Sequence, residues 1–121
     1  MKRKIAIVED DYLLALVLTK HLSKEGYDCF SFPKARNFFE FFENNNDLHL
    51  LILDVKLKGE QNGIELFENF SSISSVPVIF STGNSDIQEL NTLKTPQVKG
   101  IFIKPIHLEE LTKIVHQLDH P

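Results

Sequence analysis

Three acids, Glu9, Asp10 and Asp11, follow directly on the apolar run IAIV at residues 5–8. A second apolar run, LLIL at 50–53, stops at Asp54. A third stops at Ser81 and Thr82, and a fourth, IFI at 101–103, stops at Lys104. Like charges about 4 Å apart repel by about 4 kcal/mol at an effective dielectric near 20, so adjacent acids call for compensation. Clustered carboxylates suit a hard divalent cation; Mg²⁺ in particular takes one or two carboxylates, keeps several waters and accepts a phosphate. A lysine and a hydroxyl suit phosphoryl oxygens. An ionised aspartate can attack phosphorus and form an aspartyl phosphate. Each residue also has a plain role: an Asp caps a helix, a Thr closes a turn, a Lys before proline stands in solvent. Only a fold that gathers them yields phosphoryl chemistry with Mg²⁺.

The order of elements does gather them. Residues 4–8, 28–32, 49–53, 76–81 and 99–103 read as strands, being short and rich in apolar residues. Between them lie helical stretches. The first covers 11–24 and ends at Gly26, a natural C-cap position. The second starts at Pro33 and runs to about Glu43, before the turn NNND at 44–47. The third covers about 64–70, after the loop VKLKGEQNG. The fourth is about ten residues long, follows the loop TGNS and must end by Pro96. The last covers 108–118, with Leu108, Leu111, Val115 and Leu118 on one stripe. Five strands interleaved with five helices imply a parallel sheet covered on both faces. Ligands of such sheets sit at the carboxyl ends of the strands. Glu9, Asp10, Asp11, Asp54, Ser81, Thr82 and Lys104 all fall there.

The 121 residues suit one domain, and 42% apolar content is enough for a core without disulfides. The single cysteine, Cys29, excludes an internal disulfide and suits a reducing compartment. No apolar run approaches the roughly 18 residues of a membrane span. The N-terminal apolar stretch is too short for a signal peptide. A cytoplasmic protein without a membrane contact is therefore expected. A net charge of −4 argues against direct nucleic-acid binding. No repeat or linker divides the chain, so residues 1–121 are expected to be one domain with no output domain.

The segments IVEDD, LLILDVKLKGEQNGIEL, PVIFSTG and GIFIKP, in this order and spacing, closely resemble the receiver domain of bacterial two-component response regulators. The resemblance covers the whole chain and implies a flavodoxin-like, doubly wound (βα)5 fold with strand order 2-1-3-4-5. It implies that Asp54 is the phosphoacceptor. Asp10 would bind Mg²⁺ directly, Glu9 through a water, and Asp54 itself and the backbone carbonyl of Lys56 would complete the protein ligands; Mn²⁺ could substitute. Thr82 and Lys104 would contact the phosphoryl oxygens, with the backbone N–H groups of Val55 and Gly83. The Lys104–Pro105 bond would be cis. The phosphodonor would be a histidine kinase or a histidine phosphotransfer protein. The module would be a self-dephosphorylating switch, with Lys56 and Asn84 at the positions that set its lifetime, and not an enzyme turning over a diffusible substrate. On phosphorylation the Thr82 hydroxyl would turn inward and the 82–86 loop and fourth helix would shift. That would change the surface of the fourth helix, fifth strand and fifth helix, through which a homodimer could form.

Two positions depart from the family pattern. Ile101 stands where an aromatic switch residue is usual, and Phe102 should face the opposite side of the strand. Gly63 comes nine residues after Asp54, where eight is common, so the loop carries one extra residue. On the first helix Tyr12, Ala15, Leu16 and Thr19 would form an apolar outward stripe, either a docking patch for the phosphodonor or ordinary surface residues. In NFFEFF, Phe38, Phe41 and Phe42 share a helical face while Phe39 falls off it. That suits core packing with one partly exposed ring, or a dimer or adjacent-domain contact. Histidines 21, 49, 107, 116 and 120 show no metal-ligand spacing and read as incidental. The alternative to a phosphoacceptor is a binding module of the same fold that works without phosphate. The intact acidic, hydroxyl and lysine set argues against it, while Ile101 leaves it open. A phosphohydrolase would want a second Asp at the position of Lys56.

Overall fold

Side chains alternate across a strand, and here the two sets feed two separate cores. The computed structural model describes residues 2–57, 62–83, 86–93 and 95–120. Its elements run β1 (Lys4–Val8), α1 (Tyr12–Lys24), β2 (Asp28–Phe32), α2 (Ala35–Glu43), β3 (Leu50–Asp54), α3 (Gly63–Ser71), β4 (Val78–Thr82), α4 (Ile87–Asn91), β5 (Val98–Ile103) and α5 (Leu108–Asp119). The five strands form one parallel sheet of order β2-β1-β3-β4-β5, the doubly wound topology that the sequence implies.

Ala6, Val8, Leu51, Leu53, Val78 and Phe80 face one side, against Phe38 of α2, Leu66, Phe67 and Phe70 of α3, and Leu90 of α4. Ile5, Ile7, Leu50, Ile52, Ile79 and Phe102 face the other, against Leu18 and Leu22 of α1 and Leu111 and Val115 of α5. Central strands buried on both faces explain the unbroken apolar runs of β1 and β3. The phenylalanines of α2 belong to the first core. Phe38 is fully buried and stacks on Phe42, with ring centroids 5.9 Å apart. Phe42 meets Phe70 edge-on at 5.1 Å. Phe39 is half-buried against Phe38, so the core-packing reading of this run accounts for all four rings.

Local sequence sets the boundaries. Asp11 caps α1, its Oδ1 accepting from the N–H groups of Leu13 and Leu14. At the other end Gly26, at φ 98°, lets Gly26 N–H reach the Ser23 carbonyl and Tyr27 N–H reach the Leu22 carbonyl. This is a Schellman ending, completed by burial of Leu22 and Tyr27 in one core. Asn62 and Glu65 close a reciprocal capping box on α3. β4 begins at Val78, two residues later than expected, because Pro77 has no N–H for the ladder; only its carbonyl takes part, accepting from Leu51. α4 has five residues where about ten were expected. It stops at Asn91, with Thr92 as C-cap, well before Pro96; both are weak helix formers, and Leu90 is its buried anchor.

Candidate functional site

Parallel pairing brings the carboxyl ends of β1, β3, β4 and β5 to one edge. Glu9 follows β1, its N–H donating to the Phe32 carbonyl of β2. Asp54 ends β3, Thr82 ends β4, and Lys104 follows β5 with its N–H bonded to the Thr82 carbonyl at 2.8 Å. The Lys104 ammonium lies 3.2 Å from Glu9 Oε1 and 3.2 Å from Asp54 Oδ2. Glu9 and Asp54 are buried, and Asp10 is half-buried beside them. One carboxylate oxygen from each of Glu9, Asp10 and Asp54 lies within 4.8 Å of the others.

The charges do not balance. Burial pushes the Glu9 carboxyl up to about 7; the Asp11 N–H at 3.0 Å pulls it back, and Asp54 raises it again. Burial lowers Lys104, but the carboxylates of Asp54 and Glu9 outweigh it and hold the ammonium above its ordinary value. Among the described residues no hydrogen-bond donor is aligned on Glu9 Oε1, so this buried oxygen is left with the Lys104 ion pair. Three convergent acid groups and an under-bonded buried oxygen fit a hard divalent cation with its waters.

The remaining expected site residues divide. The Lys104–Pro105 bond is cis. Asp11 caps α1 and leaves the acidic pair to Glu9 and Asp10. Val55 requires a correction: its N–H is spent on the Ser81 carbonyl at 3.1 Å, because the ladder runs one residue past β3. The N–H aimed at the Asp54 carboxylate is that of Lys56, 3.3 Å from Oδ1. Gly83 is exposed at the same edge, and Ile101 packs half-buried on the first core while Phe102 packs on the second. Asn84 lies outside the described residues. Thr82 is fully buried, and its hydroxyl donates to the Gly83 carbonyl at 2.9 Å and to Asp86 Oδ2 at 3.3 Å. Asp86, whose carboxylate also lies 4.0 Å from Lys56 Nζ, was not singled out by sequence; its only signal is an acid four residues after Thr82. Gly63 has a local necessity. A Cβ there would collide with the Asp54 carbonyl oxygen and come within 2.8 Å of Val55 Cα, while its N–H donates to the Val55 carbonyl. Nine residues after Asp54 in place of eight, the glycine still seats against the end of β3.

On α1, Ala15 is buried rather than outward-facing, since it packs under the helix with Leu18 and Leu22. The exposed apolar stripe is Tyr12, Leu13, Leu16 and Val17. The histidines are not all incidental: His49 Nε2 lies 2.8 Å from Asp119 Oδ1, and His21 Nε2 lies 2.6 Å from Thr112 Oγ1. Among the described residues no helix is long and apolar enough to cross a membrane.

Residues 5–116 match the response regulator receiver domain family. The chain is 33% identical over 113 residues to the transcriptional regulatory protein CrdR of Helicobacter pylori, covering 92% of this chain and 52% of that protein. It is 27% identical over 116 residues to sporulation initiation phosphotransferase F of Bacillus subtilis, covering 95% and 92%. It thus spans about half of some curated relatives it matches and nearly all of others. Among solved structures, a response regulator receiver domain protein from Clostridium thermocellum superposes with a TM-score of 0.87 at 19% identity, covering 96% of this chain and 93% of that one. The receiver domain of NtrX from Brucella abortus gives 0.84 at 20%, covering 97% and 99%. These two likenesses show the fold. The family match spans nearly the whole sheet, and on it the chain belongs to the response regulator receiver domain family, the phosphoaccepting modules of two-component signalling.

Proposed function

We propose that Asp54 is the residue that accepts the phosphoryl group, with the Lys104 ammonium, 3.2 Å from both Asp54 and Glu9, as the observation that carries this assignment. An Asp54 carboxylate oxygen attacks phosphorus in line, a P–O bond forms, and the P–N bond of the donor's phosphohistidine breaks. Lys104 neutralises charge on the transferred group, and the Thr82 hydroxyl and the N–H groups of Lys56 and Gly83 are donors within the same edge. Asp10 is assigned as a direct Mg²⁺ ligand, Glu9 as a ligand through water, and Asp54 and the Lys56 carbonyl as further protein oxygens; Mn²⁺ would substitute. Mg²⁺ held there supplies further positive charge beside the phosphoryl oxygens. Later attack by water on phosphorus breaks the P–O bond to Asp54, releases inorganic phosphate and restores the carboxylate. The receiver module is thus a self-dephosphorylating cytoplasmic switch and not an enzyme with turnover on a diffusible substrate.

The donor is a histidine kinase or a histidine phosphotransfer protein. The exposed stripe of Tyr12, Leu13, Leu16 and Val17 supports α1 as its docking face, with Ala15 beneath it. Output runs through the α4–β5–α5 surface, where a homodimer is one outcome. Incubation with a small acyl phosphate or phosphoramidate, with and without Mg²⁺, tests the assignment. The expected result is a base-labile phosphate on wild type and none on Asp54→Asn. Equal labelling of both, or none on wild type, would favour a binding module that works without phosphate.

A further inference from the structure

The Thr82 hydroxyl has two acceptors in reach, the Gly83 carbonyl and one acid outside the metal set. Asp86 occupies the N-cap position of α4, yet its side chain makes no capping bond to that helix. It turns back to the end of β4 instead. Its Oδ2 accepts from the Thr82 hydroxyl at 3.3 Å and approaches Lys56 Nζ to 4.0 Å, with only 15% of the side chain exposed. An aspartate at a helix start ordinarily satisfies its own helix's N–H groups. One that forgoes this and takes a hydroxyl from the end of β4 ties α4 to the strand. The Gly83 carbonyl at 2.9 Å shares the hydroxyl's one proton with Asp86, so both acceptors lie on the side away from Asp54's partner, Lys104.

We propose that Asp86 is a positioning residue that holds the Thr82 hydroxyl off Asp54 in the resting protein, so that a phosphoryl group must take that hydroxyl from Asp86. This rests on the assignment of Asp54 above. A hydroxyl has one proton to donate. Donating it to a phosphoryl oxygen leaves Asp86 without this bond. That loss frees the carboxylate, and the start of α4 with it, from the end of β4. The coupling requires no aromatic side chain, which answers how a chain with Ile101 moves its output surface.

The test is a double-mutant cycle read with beryllofluoride and Mg²⁺ as the phosphoryl mimic. Asp86→Ala should tighten beryllofluoride binding by about 3- to 10-fold, the size of one hydrogen bond to a charged acceptor. In a Thr82→Val background the same substitution should change binding by less than about twofold. An equal gain in both backgrounds would reduce Asp86 to a repelling charge and overturn the proposal, as would no gain in either. Asp86→Asn keeps the shape and replaces the alanine variant if that one melts early. The χ1 coupling of Thr82, measured by NMR with no metal or phosphoryl mimic, separates this inference from the Asp54 assignment. It should report one rotamer in wild type and averaging in Asp86→Ala. An unchanged coupling sinks the positioning role even if Asp54 labels, and absence of labelling on wild type sinks the Asp54 assignment first.

Discussion

At the amino edge of the sheet one carboxylate meets three donors, and at the carboxyl edge three carboxylates converge, two of them sharing Lys104. Asp119, at the end of α5, accepts from the Tyr27 hydroxyl at 2.6 Å and lies 2.8 Å from His49 Nε2 and 3.5 Å from Arg3 Nη1. Those partners stand just before β2, β3 and β1, so this cluster fastens the last helix under the sheet. Burial raises the Asp119 carboxyl, but the bonds from Tyr27 and His49 and the charge of Arg3 outweigh it and hold it below its ordinary value. At the other edge Glu9 is pushed up to about 7. The same functional group, a carboxyl, is stabilised by its surroundings at one end of the sheet and penalised at the other. A fold that satisfies its acids where it only needs holding, and leaves them in excess where it binds, marks its own functional end.

The largest expected difference is chemical. Asp54→Asn should cut labelling by an acyl phosphate at least about 100-fold, while Asp119→Asn should leave it within about twofold. Mass spectrometry of the intact chain reads both, and equal losses would erase the distinction between the two edges. Next comes the metal. At about 100 times its dissociation constant Mg²⁺ should stabilise the wild type by about 2.7 kcal/mol in urea unfolding. Asp119→Asn should keep that gain and Asp10→Asn should lose most of it. Unchanged metal stabilisation in Asp10→Asn would remove Asp10 from the site.

Without metal, truncation should separate the edges by sign. Asp119→Ala leaves the Tyr27 hydroxyl and His49 unpaired and should cost about 1–3 kcal/mol, seen as a lower urea midpoint at constant slope. Glu9→Gln should do the reverse near neutral pH. The raised carboxyl of Glu9 favours its protonated form in the folded chain, so metal-free stability falls as pH rises from the ordinary 4.5 to about 7 and then levels. The Gln variant should lack that fall. A Glu9→Gln chain that is less stable than wild type at pH 7 would mean that the carboxylate is satisfied after all.

The carboxyl edge was legible because its residues end apolar runs, so pattern and topology alone place Glu9, Asp10, Asp54, Thr82 and Lys104 together. What the pattern could not carry was direction within a residue. Val55 follows Asp54 in sequence, but whether its N–H points to a ligand or to the Ser81 carbonyl depends on how far the ladder runs. Ala15 falls on an outward stripe only if the helix is rotated by one position from where Leu18 and Leu22 set it. Asp86 and the Asp119 cluster were invisible for a different reason. Each bond there joins residues by a contact with no periodicity, across a loop in one case and between positions 3, 27, 49 and 119 in the other.

The smallest effect tests the amino edge alone. Asp119→Asn keeps an oxygen for the Tyr27 hydroxyl and loses only the charge, which should cost about 0.5–1 kcal/mol near pH 7. The sign of its pH dependence follows from the lowered carboxyl. The ionised form is favoured in the folded chain, so its contribution is present above the ordinary carboxylate value near 3.8 and is lost as pH falls through the lower native one. Wild type and Asp119→Asn should therefore differ at pH 7 and converge in acid, with urea midpoints meeting below the native value. A gap that persists at acid pH would show that the asparagine is disturbing the packing of α5, not removing a charge. Convergence would show that Asp119 contributes through ionisation, the property that Glu9 is denied at the opposite end of the same sheet.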